Sequence, residues 1–446
     1  MTRALKARHI LMMALGGAIG AGVFQGSSTS IHQTGPGVVF AYLLGGIILL
    51  FVMQGLAQMT VTNPVAKTFR DLLHPILGPF AAYLAGWMYW LDWVLVMAAE
   101  TAASAMFLQY WFSSVPLWLL SLIVSIAITI VNLFQVKVYG ETEYWLAGIK
   151  IAALSLFILF GVGLILTGTG HYSLHIADNL TAHGGLFPHG LSGFAASMLV
   201  VMFSFGGTEM VGMTMGETQN PEKVIPRAAR TVIVRILVFY ILPILVILSL
   251  VPWSQLTATQ SPFVSVFTAV GIPYAGAIMN FVLFTAVVSA TNTGMYAASR
   301  MLYTQALDGQ APAFFARLSN RGVPVRALLV STSFLYIGVI VAFFVKGQAF
   351  GDLMVIPGYS VLLVWIFICI AHIRHSVQIG LSKSLRAGSI FALCALTAIL
   401  IGIVITSPPA GTLVSFAAVL IIAITYLGRR RTVRSSTASG SQTKSA

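Results

Sequence analysis

Charge is what this sequence has least of. Only 8% of its 446 residues are Asp, Glu, Lys or Arg, and just 11 are acidic. Soluble domains carry about 25% charged residues, because a surface in water needs ionised groups to stay dissolved. That shortage excludes a water-soluble globular protein. Cysteine is nearly missing too: Cys369 and Cys394 are the two. They offer neither a CxxC metal spacing nor a disulfide framework, and they read as small buried hydrophobes. Long polar stretches are few, at 168–190 and 253–272 on one side and 61–79, 216–230 and 304–325 on the other. There is no room for a soluble domain.

What remains is apolar, in segments long enough to span lipid. A hydrocarbon core about 30 Å thick needs roughly 20 such residues per helix. Spans are expected at 10–33, 38–60, 80–110, 116–136, 143–167, 191–215, 231–252, 273–303, 326–345, 350–372, 387–407 and 410–428. The fold class is therefore an all-α polytopic membrane protein of about twelve helices. A β-barrel would alternate in blocks of about ten residues, and runs such as Ile151 to Leu166 do not. The first run follows a basic start but is long, Gly-rich and without an evident cleavage site, so it reads as an uncleaved helix.

The net charge of +13 does not point to nucleic acid. With the N-terminus cytoplasmic, Arg3, Lys6, Arg8, Lys67, Arg70, Lys137, Lys223, Arg227, Arg230, Arg235, Arg300, Arg317, Arg321, Arg326, Arg374, Lys383, Arg386 and Arg429 to Arg431 all face inward. Only Lys346 faces out. This is the positive-inside distribution. It predicts a multi-pass protein of the plasma membrane with both termini cytoplasmic, its basic face attracted to anionic lipid. The Ser/Thr-rich tail 429–446 reads as disordered.

Two spans carry a mid-depth interruption. The first reads LMMALGGAIGAGVF, with Gly20-Ala21-Gly22 at the break, and the sixth reads MLVVMFSFGGTEMVG, with Gly206-Gly207. Five helices separate them, so they enter the membrane from opposite sides. Paired broken helices at corresponding positions mark an inverted-repeat transporter and its binding site. A break frees N–H and C=O groups that cost several kcal/mol each in lipid unless bound. An amino acid could bind them, its carboxylate on half-helix amides and its ammonium on carbonyls. Close helix packing through small residues is the competing reading of these glycines. Two matched breaks, one ending in an acid, argue against it.

The residues around these breaks resemble a known family. LKARHILMMALGGAIGAGVF, NPVAKTF (63–69), LGPFAAYLAGWMYWLDW (77–93), AAETAA (98–103), FSFGGTEMVG (203–212), ETQNPEKVIPRA (217–228) and SRMLY (299–303) are similar to the bacterial amino acid permeases of the amino acid–polyamine–organocation superfamily. The resemblance implies a LeuT-like fold of five-plus-five inverted repeats, one at about 10–167 and one at about 191–372, with two extra helices at about 387–428. The whole of 1–428 then forms a single transport domain. It also implies proton-coupled amino acid uptake. The chain departs from the family pattern at Ala57-Gln58, where Gly-Glu is usual, and at Lys67, where the family carries Gly. Its loop between spans 10 and 11 is also shorter and less basic.

Few ionisable groups fall inside the spans, and each is a functional candidate. Glu209 ends the second break and could switch between wet and dry settings, a role related transporters give an acid here. Lys150, in LAGIKIAAL, resembles the lysine of proton-coupled relatives whose ammonium occupies the place of a sodium ion. The alternative is a lysine snorkelling to the interface. Glu100 is expected to pair or to line the pathway. Asp92, eight residues before it, is expected to be structural. About 12 Å separates the two along the helix, too far for joint acid–base chemistry, so no enzyme is indicated. The resemblance makes Phe203 the ring that caps the substrate. Ile19, Gly20, Ala21, Gly22, Ser204, Gly206 and Gly207 are the expected binding residues of the breaks, with Ser289, Thr291 and Asn292 contributing from span 8. Histidines 171, 175, 183 and 189 lack ligand spacing; no metal or cofactor is implied. The partners that the resemblance implies are an amino acid and a proton; acidic pocket residues could attract a cationic substrate, but the family uses similar acids with neutral ones, so a neutral amino acid is expected. Exchange, or a sensor on the same fold, are the alternatives.

Overall fold

The computed structural model describes residues 7–134, 139–167, 176–257, 260–271, 274–319, 322–345, 349–381 and 383–442. Arg3, Lys6, Lys137, Arg321, Lys346, His171 and His175 lie outside the described residues. Every regular element among the described residues is helical. This follows from the solvent, because a chain in lipid must close its backbone hydrogen bonds within itself. Among the described residues nine helices are long and apolar enough to cross a membrane, and Leu117–Ile130 and Gly190–Phe205 are shorter apolar helices.

The outward faces confirm which solvent the chain was built for. Leu191 is 85% exposed, Leu166 80% and Ile405 76%. Large apolar side chains exposed to that degree on several helices suit lipid rather than water. Burial instead ranks the helices. In an 18-residue apolar stretch of Pro79–Gln109, the third span, 78% of the residues are buried, against 11% in that of Pro409–Arg429 at the end. The third span packs chiefly against the eighth, Ala275–Leu307, and Val38–Thr62 against Pro221–Leu250. Cys369 is buried as expected, but Cys394 is exposed. It belongs to the peripheral helix Lys383–Thr406, where lipid meets an apolar side chain as well as protein would. The last helix runs Pro409–Gln442. It therefore covers most of the segment that composition marks as a disordered tail, for without a proline each further residue still adds a backbone bond.

One end of the bundle is tied shut by polar contacts. Asp71 accepts from the Lys67 and Thr68 amides at 2.9 and 3.1 Å, which fixes the turn after the second span. Buried Arg70 pairs with Asp71 and with Asp308 and donates to Gln310 at 2.6 Å. Gly216 N–H donates to the Lys67 carbonyl at 3.0 Å. Arg300 pairs with Glu217 at 3.3 Å, and Tyr296 donates to the same carboxylate at 2.8 Å. The departures from the family pattern thus have local partners. Lys67 contributes its backbone to this clamp, and Gln58 Oε1 meets His372 Nε2 at 2.6 Å. Ser389 lies 2.7 Å from the other ring nitrogen.

Candidate functional site

The first span breaks where its glycines allow. A helix Ala7–Ala18 ends, Ile19 and Gly20 are extended or bent, and the chain resumes as Ala21–Phe24 and Gly26–Thr34. The sixth does likewise. Gly190–Phe205 stops at Gly206, and a short helix Met210–Met213 begins after Glu209. Gly207 has φ of 91°, in the region that favours glycine. A Cβ built there would lie 2.8 Å from the Gly17 carbonyl atoms. The two breaks therefore touch, backbone on backbone.

The freed groups find partners within the chain. Lys150 Nζ donates to the carbonyls of Gly16 at 2.8 Å and Ile19 at 3.1 Å. The Glu100 carboxylate accepts from the Ala21 amide, its oxygens at 2.9 and 3.0 Å. Glu209 Oε1 accepts from Gly207 N–H at 3.0 Å and its Oε2 from Trp365 Nε1 at 3.3 Å. Thr208 donates to the Phe205 carbonyl at 3.1 Å. Across both breaks lies Tyr240, whose hydroxyl sits 2.5 Å from the Ala18 carbonyl and 2.6 Å from that of Ser204.

Lys150 is completely buried, so it does not snorkel. A buried ammonium needs hydrogen bonds and opposite charge, and it has both. Besides Glu100, a second fully buried acid, Glu143, precedes it by two turns on the same helix Tyr139–Thr167. Glu143 lies against Gly16 and accepts from Ser289 Oγ at 2.5 Å, while its Oε2 has no partner.

Between the breaks is a cavity of about 10 Å³, room for about one water. Gly17, Ala18 and Gly22 wall it from the first span, and Asp92, Trp93, Val96 and Glu100 from the third. Phe203, Ser204, Gly206 and Gly207 close it from the sixth, with Val361 beyond. The Phe203 ring packs edge-on against Phe350, centroids 5.9 Å apart. The cavity is closed in this conformation, and a solute larger than water enters only if these walls part.

The structure brings Gly22, Glu100, Phe203, Ser204, Gly206 and Gly207 together at the cavity. Ile19, Gly20 and Ala21 adjoin it through Lys150 and Glu100. Span 8 is placed otherwise. Ser289 turns to Glu143, because a buried carboxylate takes the nearest hydroxyl; Thr291 bonds its own helix at Val287, 2.9 Å. Asn292, half-buried, is not on the cavity wall. Asp92, expected to be structural, is buried on the cavity wall with Oδ1 unpartnered. The exposed His189 stands 3.1 Å from the Gln33 carbonyl.

Sequence reasoning missed Tyr240, Glu143 and Trp365. Glu143 had a signal: seven residues before Lys150, it shares that residue's helical face. Tyr240 had none, being one of 14 tyrosines in an apolar helix. Tyr240→Phe removes the single proton that the Ala18 and Ser204 carbonyls share; Ala18 keeps the Gly20 amide at 3.1 Å, so the loss is that of one buried group, about 1–3 kcal/mol. The purified variant should melt several degrees below wild type and take up substrate roughly tenfold more slowly, since about 1.4 kcal/mol is tenfold. Unchanged melting would show that the hydroxyl does not join the breaks.

Known proteins are similar along nearly the whole chain. The profile of the family described as Amino acid permease matches residues 9–437. An uncharacterized amino acid permease, YvbW of Bacillus subtilis, is 49% identical over 435 residues, 96% of this chain and 97% of that protein. The gamma-aminobutyric acid permease of the same organism is 42% identical over 371 residues, covering 83% of this chain and 79% of its own. The aromatic amino acid transport protein AroP of Escherichia coli K12 is 41% identical over 372 residues, 83% and 81% of the two chains.

Proposed function

We propose, from the fact that this chain belongs to the amino acid permease family, how it moves an amino acid across the membrane. It is a transporter and not an enzyme. In our reading it is a LeuT-like carrier of inverted repeats in the plasma membrane, with both termini cytoplasmic. It takes up a neutral amino acid together with a proton by alternating access.

The observation that carries this reading is the seating of Lys150 on the carbonyls of Gly16 and Ile19. Those groups exist for bonding only because the first span is broken. An ammonium there acts as a fixed monovalent cation that holds the break in shape. When it loses its proton, two donors weaken at once and the break is free to rearrange. A proton on Lys150 is thereby linked to the geometry of the cavity a few ångströms away. Substrate binding between the breaks and proton loading then favour the same conformation, which is what coupling requires. Glu209 supports the reading from the other break, since its carboxylate holds the Gly207 amide and the Trp365 ring together. The relatives named for gamma-aminobutyric acid and for aromatic amino acids support an amino acid as the cargo.

Proteoliposomes loaded at pH 7.5 and diluted into pH 6.0 or 7.5 test this against a panel of labelled amino acids. At least one amino acid should accumulate, and the imposed gradient should raise its initial rate several-fold. Uptake that ignores the gradient but is driven by internal amino acid would replace symport with exchange. No uptake of any panel member would sink the reading as a whole.

A further inference from the structure

The acceptors freed by the two breaks are largely taken by the chain itself. Gly16 and Ile19 accept from Lys150, Ala18 and Ser204 from Tyr240, and Phe205 from Thr208. Of the acids around the cavity, Glu100 is committed to the Ala21 amide and Glu209 to the Gly207 amide and Trp365. Glu143 lies behind Gly16, off the cavity wall. An incoming ammonium therefore finds fewer open carbonyls than a broken helix offers in principle.

Asp92 is the exception. It is 2% exposed, it lines the cavity, and its Oδ1 has no hydrogen-bond partner. Burying a carboxylate oxygen without a donor is costly, so something must supply the donor at some point in the working cycle. The nearby side chains do not. Trp93, its neighbour in sequence, has an unpartnered Nε1 of its own, and so does the hydroxyl of Tyr89 one turn earlier. The charge of Glu209, of the same sign, acts on it. Asp92 thus feels a like charge, and among the described residues no ion pair is formed by it.

We propose that Asp92 anchors the ammonium group of the substrate. This rests on reading the cavity as the amino acid site, and it names the acceptor there. The ligand class is a compound with a primary ammonium, in place of which an uncharged hydroxyl would serve poorly. Such a group brings both the donor and the positive charge that Oδ1 lacks, and it offsets the like charges of Asp92 and Glu209. The residue sits on the third span, one of the walls, rather than in either break. Ammonium binding therefore ties the third span to the broken helices around the substrate, once the walls of the observed cavity have parted to admit it.

The test compares two competitors in wild type and Asp92→Asn: the best-transported amino acid and its α-hydroxy acid analogue, which has a hydroxyl in place of the ammonium. Wild type should prefer the amino acid by about 100-fold or more. In Asp92→Asn that preference should shrink at least tenfold, through a raised KM for the amino acid with the hydroxy acid nearly unaffected. Equal weakening of both competitors, or no change in either, overturns the assignment and marks Asp92 as a packing residue. Should Asp92→Asn fail to fold, Asp92→Glu keeps the carboxylate and should keep the preference; a folded Asp92→Glu without it overturns the assignment equally. Wild type that transports amino acids yet binds the hydroxy acid as tightly overturns this inference alone. Wild type that takes up no amino acid overturns the transport reading beneath it.

Discussion

Lys150→Met is expected to abolish gradient-driven accumulation, lowering the initial uptake rate about 100-fold or more. Methionine matches the length and apolar stem of lysine but has no donor. The carbonyls of Gly16 and Ile19 lose their bonds at 2.8 and 3.1 Å, and each unsatisfied group costs about 1–3 kcal/mol. The loss of charge weighs as heavily. Lys150 is a buried cation whose charge acts on two buried acids, Glu143 and Glu100. Removing one partner of a buried ionic cluster typically costs about 3–5 kcal/mol, because the charges left behind cannot be solvated. A 100-fold fall corresponds to about 2.7 kcal/mol, well within that reach.

The pH dependence separates coupling from mere support of the fold. Wild-type uptake should rise as the external pH falls, because acid loads the outward-facing carrier with the proton it carries inward. Lys150→Met has no proton to load at this position, so its residual uptake should be flat between pH 5.5 and 7.5. Counterflow between equal pools of amino acid needs no net proton movement and should fall less than accumulation does. Initial rates in proteoliposomes, normalised to reconstituted protein, give all three quantities. A variant still stimulated several-fold by the gradient would remove Lys150 from the coupling step.

The features most legible in the sequence are those that lipid forces into view. A solvent that cannot hydrogen-bond makes every span apolar, so the few charges within spans stand out. Lys150, Glu100 and Glu209 were found that way, and all three hold broken backbone. The glycine pairs were legible because a mid-membrane break needs residues without side chains. Depth and direction were not legible. Asp92 and Glu100 share a helical face, yet one caps an amide and the other is left with an open oxygen, a difference set by neighbouring helices. Glu143 stands at the first position of an expected span, 143–167, but the helix begins at Tyr139 and carries it inside. Ser289 looked like a substrate ligand because a hydroxyl facing the bundle can serve any buried acid. Tyr240 illustrates the limit. Its role depends on two carbonyls that are 186 residues apart in sequence and meet only because the glycines let the backbones approach.

That approach makes Gly207→Ala the other substitution of large expected effect, and Gly206→Ala its control. The two glycines are adjacent, in the same break, and lose the same hydrogen. They differ in what the added methyl meets. At Gly207 it would lie 2.8 Å from both the carbon and the oxygen of the Gly17 carbonyl and 3.2 Å from the Ala18 nitrogen. All are backbone atoms, in a segment already pinned by Lys150 and Tyr240, so they cannot swing aside. The φ of 91° adds about 1–3 kcal/mol of strain for a residue with a side chain. At Gly206 φ is −54°, which alanine accepts, and the methyl would meet Phe203 O at 3.0 Å and Val361 Cγ2 at 3.1 Å. One of those is a side chain that can shift. Gly207→Ala should therefore push the sixth span off the first, break the Tyr240 bridge and reduce uptake at least 100-fold in protein that still reaches the membrane. Gly206→Ala should stay within about tenfold of wild type. Equal losses in the pair would mean that the breaks need flexibility in general. A Gly207→Ala carrier with normal uptake would mean that the contact between the breaks opens during the cycle without being required.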